Sequence, residues 1–285
     1  MMPSLRLGLI GDKIQRSRSP ELHRLAGRLS GIDVTYESLI PPELGDTFDH
    51  VLAACGDRGF RGVNITYPYK ERVLEHVASP PRDLAALGAC NTILFEGAEL
   101  RGFNTDFSGF ASAFLHRFGK VSPGVVAMAG AGGVGKAIAF ALARLGASEL
   151  RLCDPDESRA RQLALALEPA ATGMRISIAG DIATAAGGAD GIVNATPLGM
   201  DGVGGNAIPA SALPGRRWAF DAVYTPEWTG FLREARAAGV EVMTGFDLFL
   251  FQGIDAFRIF SGVSVAPDVL RRELIGAPVP TGAGA

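Results

Sequence analysis

Two short runs of this 285-residue chain combine residue types that could move a proton. In GVNITYPYKERVLEHV (62–77), Pro68 stops an apolar strand, and Lys70 falls near the first turn of a helix expected from Tyr69 to Val77. A cation there faces the positive end of the helix dipole, at a cost of about 0.3–1 kcal/mol. Such a lysine reads either as an exposed turn residue or as a proton-transfer group, because lysine is readily tuned toward its neutral form. In RGFNTDFSGFASAF (101–114), Asp106 immediately precedes a helix expected from Phe107 to Phe118, so it is either an N-cap or an acid–base partner. Asn104 fits a turn. In QRSRSPELH (15–23), Ser19 before Pro20 reads as an N-cap with proline at N1. Alternatively, Ser17 and Ser19 together could hold a carboxylate at a helix N-terminus.

A third run binds rather than reacts. The turn GAGGVG places Gly130, Gly132 and Gly135 in the spacing G-x-G-x-x-G, directly after the apolar strand GVVAMAG (124–130) and directly before the helix KAIAFALARLG. Glycines there permit a tight turn and close backbone approach, and the helix N-terminus suits a pyrophosphate. Asp154 follows Gly135 by 19 residues and closes the strand ELRLCD. A carboxylate at that place accepts hydrogen bonds from an adenosine ribose and repels the 2′-phosphate of NADP. NAD is therefore expected, with NADP the weaker alternative. Arg159 lies nearby but falls on the solvated face of the helix ESRARQLALAL (157–167).

Alternating strands and helices must position these groups. Strands are expected at 5–11, 34–40, 62–66, 124–130, 149–154, 175–180, 189–195, 217–224 and 240–245. Helices are expected at 20–30, 43–55, 69–77, 107–118, 133–145, 157–167, 228–238 and 247–262. Strand–helix alternation implies parallel sheets and the α/β class. The expected layout is two domains, an N-terminal α/β substrate domain over 1–107 and a Rossmann-type dinucleotide-binding domain over 108–245. The helices of 246–285 are expected to pack back on the first. The 37 glycines and 17 prolines are spread as punctuation between elements, and only the tail APVPTGAGA reads as disordered.

Composition narrows the function. At 47% hydrophobic and 20% charged residues the chain can build sizeable cores. A net charge of −3 gives no basic face, so nucleic acid is not an expected partner. The apolar stretch from Val125 to Leu145 is interrupted by glycines, Lys136 and Arg144, so it is no membrane span. The run before Asp12 is too short for a secretory signal, and a cytoplasmic protein is expected. Cys55, Cys90 and Cys153 are far apart, implying neither disulfides nor a metal site. His23, His50, His76 and His116 lie in helical patterns away from these motifs and read as surface or packing residues. The stripe Phe246, Phe249, Phe251, Phe257 and Phe260 reads as core or domain interface, and 200–209 as a loop.

The motifs SRSP, NITYPYK, GACNT, NTDFSGF, GAGGVG, NATPLGM and a late FxxxxQ stand in one order along nearly the whole chain. Together they resemble the shikimate dehydrogenase family, with its quinate/shikimate dehydrogenase relatives. The resemblance implies two α/β domains, the cofactor domain second. It implies that Ser17 and Ser19 bind the substrate carboxylate, and that Asn64, Thr66, Asn91 and Asp106 hold ring hydroxyls beside Lys70. Tyr224, ending the strand FDAVY, and Gln252 complete the substrate set. Gly130, Ala131, Gly132, Gly133 and Val134 line the pyrophosphate, and Thr196, Ala222 and Gly245 flank the nicotinamide.

The chemistry suits these residue types. Oxidising a secondary alcohol sends a hydride to nicotinamide while the hydroxyl proton leaves, and Lys70 with Asp106 is implied to handle that proton as a coupled pair. No metal is needed. NADP-linked biosynthetic members end the second strand of the cofactor domain in a motif like Asn-Arg-Thr. Here Cys153-Asp154-Pro155-Asp156 stands instead, matching the NAD-using branch. Shikimate is the first expected substrate and quinate the second, since quinate-using relatives often have threonine where Ser19 stands. The alternatives are an NADP-linked enzyme of aromatic biosynthesis, a catalytically silent NAD-binding module, or an enzyme for an amino-substituted analogue. The partners expected are the small-molecule substrate and cofactor, with no nucleic acid and no membrane, in a monomer or homodimer.

Overall fold

The computed structural model describes residues 3–97 and 99–276. The tail APVPTGAGA lies outside the described residues. The chain divides into two compact units. The described residues up to Thr105, with those from Gln252 onward, form the first, and Asp106–Phe251 form the second.

The first unit is built on β1 (Ser4–Ile10), α1 (Ser19–Ser30), β2 (Asp33–Leu39), α2 (Pro41–Leu44), α3 (Phe48–Asp57) and β3 (Gly62–Ile65). Then come α4 (Arg82–Leu87), β4 (Thr92–Glu96) and β5 (Glu99–Phe103). The sheet order is β2-β1-β3-β4-β5. Strands β1, β2 and β3 pair in parallel, whereas β3–β4 and β4–β5 are antiparallel. The purely parallel sheet expected from alternation is thus corrected: residues 92–103 form a hairpin, whose turn is made by Gly97 at φ +64°. The register sets Leu9, Asn64, Thr92 and Phe103 in one row across the sheet. Beneath it, Phe48, Val51, Leu52, Val63, Ile65, Val73 and Ile93 form a continuous core.

Three local expectations also change. The helix expected over 43–55 is two helices, separated where Gly45 adopts φ +65° and caps α2. The helix α1 begins at Ser19, with Arg18 in the cap position, so Ser19 is not the N-cap; Ser17 Oγ instead accepts the Ser19 N–H. The helix expected from Tyr69 to Val77 shrinks to a 3₁₀ turn, Arg72–His76. The cause is a nonlocal competitor. The Lys70 carbonyl accepts the Cys90 N–H at 2.7 Å, while the Leu74 N–H bonds to Glu71, so no α-helical ladder forms through Lys70. The dipole penalty expected for Lys70 therefore does not apply.

The second unit runs through α5 (Thr105–Phe118), β6 (Val125–Ala129), α6 (Gly133–Arg144), β7 (Glu149–Cys153), α7 (Glu157–Leu167), β8 (Arg175–Ile178) and α8 (Ile182–Ala186). It continues with β9 (Gly191–Asn194), β10 (Trp218–Asp221), α9 (Gly230–Ala237), β11 (Glu241–Met243) and α10 (Gly245–Ser261). All six strands pair in parallel in the order β8-β7-β6-β9-β10-β11. Counted from β6, this is the doubly wound order 3-2-1-4-5-6, whose topological switch point lies between β6 and β9. Strands covered on both faces read as unbroken apolar runs, as VVAMA does in β6. Ala127, Ile192, Ala219, Phe231, Leu232 and Val242 pack the core on one side of the sheet.

Residues of α10 pack in both units. Phe257 and Phe260 of its second half are buried and meet the ring of His23 on α1. The final helix, α11 (Pro267–Gly276), lies against α1, where Arg18 donates to the Leu274 carbonyl at 2.7 Å. No helix among the described residues is long and apolar enough to cross a membrane.

Candidate active site

In the first unit, a run of polar contacts joins most of the residues expected to hold a substrate. Ser17 Oγ donates to Ser19 Oγ at 3.1 Å. The Ser19 hydroxyl lies beside the phenol of Tyr36. Tyr36 in turn donates to Asn64 Oδ1 at 2.9 Å. Asn64 Nδ2 donates to Thr92 Oγ1 at 3.1 Å, and Thr92 Oγ1 donates to Asn91 Oδ1 at 3.0 Å. Asn91 Oδ1 also accepts the Thr105 N–H at 2.7 Å, and the Thr105 hydroxyl stands 3.4 Å from Gln252 Oε1. Asn64, Asn91, Thr92 and Thr105 are all buried. In a low-dielectric interior, mutually polarised bonds of this kind hold each member in one orientation.

The sheet explains why these residues meet. Asn64 and Thr92 are register partners on β3 and β4, and β5 leads directly into Asn104 and Thr105. Thr66 sits just past β3, its N–H bonded to the Ile10 carbonyl at 2.9 Å. Lys70 lies in the following turn, tethered through its carbonyl to Cys90. Asp106 stands in the first turn of α5, which begins at Thr105 rather than 107, so it is not the cap preceding that helix.

Tyr36, Thr92 and Thr105 belong to this network and were not singled out from sequence; His23, read as a surface or packing residue, packs against Tyr36. Thr92 and Thr105 were nevertheless inside the motifs GACNT and NTDFSGF, one position from residues that were. His23 is buried and stacks on Tyr36 at 5.0 Å. Burial pushes its pKa down to about 3, against the opposing influence of the neighbouring Asn64, so the ring is neutral. Burial likewise pushes the Tyr36 phenol up, keeping it a donor.

In the second unit, the residues expected to hold a dinucleotide line the carboxyl ends of the strands. Gly130 follows β6 at φ +98°, and a Cβ there would lie 2.7 Å from the Ala195 carbonyl. A Cβ on Gly135 would strike the Gly130 carbonyl, so both glycines are required by close backbone approach. Gly132 caps α6 and Gly133 opens it, and no atom lies within 4 Å of where their Cβ atoms would be. With Val134 they present backbone N–H groups at an uncovered helix start, beside Ala131. Asp154, just past β7, accepts the Ala131 N–H at 2.8 Å on Oδ2 and the Asp156 N–H at 2.9 Å on Oδ1. A carboxylate has about four lone-pair sites, so acceptors remain for a ribose diol. Arg159 pairs with Asp156 at 3.4 Å on the exposed face of α7.

Past β9, Thr196 donates its hydroxyl to Asn194 Oδ1 at 2.7 Å, and the Asn194 carbonyl accepts the Ala222 N–H at 2.8 Å. A Cβ on Gly245 would lie 2.7 Å from the Ala222 carbonyl, so Thr196, Ala222 and Gly245 occupy one strand-end cluster. Tyr224 is 38% exposed and stacks on Phe249 at 5.5 Å. It does not end a strand, because β10 stops at Asp221, whose carboxylate takes the Val223 N–H at 3.0 Å.

Asp221, missed from sequence, is the buried hub of this cluster, also accepting from Asn194 Nδ2 at 2.9 Å and Thr229 Oγ1 at 2.7 Å. Burial outweighs these bonds and raises its pKa from 3.8 to about 6. An acid whose pKa is raised on folding stabilises the fold fully below its unfolded value, and that contribution is lost as pH rises through the folded value. The shift corresponds to about 3 kcal/mol lost between roughly pH 4 and 6. Asp221→Asn keeps an oxygen for Asn194 and Val223 but cannot ionise. The stability difference between variant and wild type, read by urea unfolding, should therefore shift in the variant's favour over this range. Parallel curves would show that Asp221 does not titrate there.

The doubly wound sheet with its glycine turn and strand-end carboxylate defines a dinucleotide-binding α/β protein, joined in one chain to a unit rich in buried hydroxyl and amide groups. A family model for the shikimate dehydrogenase substrate binding domain matches residues 9–93. The quinate/shikimate dehydrogenase (NAD(+)) of Corynebacterium efficiens is 37% identical over 94% of this chain and 96% of its own. The shikimate dehydrogenase (NADP(+)) of Streptomyces avermitilis is 39% identical over 93% of this chain and 92% of its own. Quinate dehydrogenase from Corynebacterium glutamicum, solved in complex with NAD, superposes with a TM-score of 0.91 at 34% identity, covering 96% of this chain and all of that one. The chain belongs to the shikimate dehydrogenase family.

Proposed function

We propose that the protein transfers a hydride between NAD and the ring secondary alcohol of shikimate, and also accepts quinate. The observation that carries this reading is the polar chain from Ser17 to Gln252, lying in the unit that contains the match to a substrate-binding family model. The Ser17 and Ser19 hydroxyls receive the substrate carboxylate. Asn64, Thr66, Asn91, Asp106 and Gln252 hold the ring hydroxyls, and Tyr224 closes the set. Because Asn64, Thr92, Asn91 and Thr105 are already bonded to one another, little ordering of this part of the set remains to be done when a ligand arrives.

Lys70 and Asp106 act as a coupled pair that takes the hydroxyl proton as the carbonyl forms and returns it in the reverse direction. The residues at the carboxyl ends of β6, β7, β9 and β10 fit a dinucleotide: an uncovered helix start for a pyrophosphate and a carboxylate for a ribose. Gly130, Ala131, Gly132, Gly133 and Val134 would hold the pyrophosphate, Asp154 the ribose, and Thr196, Ala222 and Gly245 the nicotinamide. When bound, NAD supplies the hydride acceptor. The NAD-named relatives support this cofactor, and the carboxylate of Asp154, where the 2′-phosphate of NADP would otherwise lie, favours it over NADP.

Product analysis tests the reaction. Incubation with NAD and shikimate should give one reduced cofactor per molecule of ring ketone, seen as a loss of two hydrogens by mass spectrometry. Binding of NAD with no ketone from either acid would leave the catalytically silent module as the better reading.

A further inference from the structure

Two segments that carry candidate catalytic groups are joined along their backbones. After β1 and β3, the Thr66 N–H bonds to the Ile10 carbonyl at 2.9 Å and the Asp12 N–H to the Tyr67 carbonyl at 3.1 Å. Gly11 sits in this seam, where a Cβ would strike the Thr66 methyl and lie 3.2 Å from the Tyr67 carbonyl. One side-chain bond closes the far end of the seam: the Tyr69 phenol donates to Asp12 Oδ1 at 2.5 Å. The Tyr69 ring stacks on the buried Phe48 at 4.5 Å and 12°, which fixes the direction of its hydroxyl.

We propose that Tyr69 and Asp12 are positioning residues, whose hydrogen bond sets Lys70 at a fixed place relative to the loop bearing Ser17 and Ser19. Tyr69 directly precedes Lys70. Asp12 opens the loop that reaches Ser17, whose N–H is bonded to the Ile14 carbonyl at 2.9 Å. The inference rests on the proposed activity, in which one small acid is held by its carboxylate at the serines while its alcohol loses a proton to Lys70. The separation of the two segments must then match a rigid ring, and a slight misplacement is paid in rate rather than in binding. The backbone bonds of the seam persist without the phenol, so the bond is a fine adjustment laid over a formed fold.

The test compares Tyr69→Phe, Asp12→Ala and the double variant with wild type, using shikimate and NAD. Each single variant should lower kcat about tenfold or more, with KM for the acid changed less than about threefold and the thermal midpoint within a few degrees. The double variant should be no slower than the worse single one, because both remove the same bond. Asp12→Asn, which keeps an acceptor oxygen, should recover part of the rate. Single variants that keep kcat within twofold of wild type would overturn the proposal, and so would losses that multiply in the double variant. A wild-type protein inactive on both shikimate and quinate would instead overturn the activity on which the proposal rests.

Discussion

Replacing Lys70 with alanine is expected to lower kcat by about 10²–10⁴-fold, the usual contribution of a positioned proton-transfer group, while KM for the acid changes far less. The structure makes this variant a clean one. Lys70 is held by its backbone, through the carbonyl that accepts the Cys90 N–H, and an alanine keeps that bond. The loss therefore reports on the amine and not on the turn. Asp106→Asn should give a loss of similar kind, and the double variant should fall well short of the product of the two, because a coupled pair works as one unit. An unchanged kcat in Lys70→Ala would remove this lysine from the chemistry.

The second large effect is expected at the cofactor. Wild type should use NAD in preference to NADP, and Asp154→Asn should move the ratio of kcat/KM values toward NADP by about tenfold to a hundredfold. A carboxylate and a phosphate a few ångströms apart repel by about 1 kcal/mol in water and several times that near a protein surface, which brackets this range. Asparagine retains one oxygen for the Ala131 or Asp156 N–H, so the glycine turn keeps part of its anchor. NAD turnover should fall in the same variant, since the ribose loses a charged acceptor. A ratio that stays constant would place cofactor choice elsewhere than at the end of β7.

What could be read from the sequence was what is decided locally. The turn GAGGVG announces itself because its glycines are forced by contacts a few residues apart, between Gly130 and Gly135. The strand before it and the helix after it carry their own periodicity. Asp154 was legible because its distance from the turn follows from the length of one helix and one strand. The hairpin of β4 and β5 was not, since TILFE and ELRGF do not alternate cleanly, and only Gly97 marks their turn. Lys70 was misplaced onto a helix because the bond that ends the helical ladder comes from Cys90, twenty residues on.

The candidate site divides in the same way. Ser17, Ser19, Asn64, Asn91 and Gln252 were named through motif resemblance, and the fold brings them into one polar cluster. The groups that do the joining were invisible. Tyr36 sits in a strand whose pattern gives it a core position, and only the pairing of β1 with β2 and β3 brings its phenol to Asn64. Asp221 looked like an ordinary strand residue, yet its burial and three hydrogen bonds make it the support for Thr196 and Ala222.

The most direct test of the activity is a set of initial rates of cofactor reduction, with shikimate and quinate each offered NAD and NADP. Turnover of shikimate with NAD is expected, with slower turnover of quinate and weaker rates with NADP for both acids. Faster turnover with NADP would contradict the role given to Asp154, and no turnover under any of the four conditions, with NAD still bound, would contradict the enzyme itself.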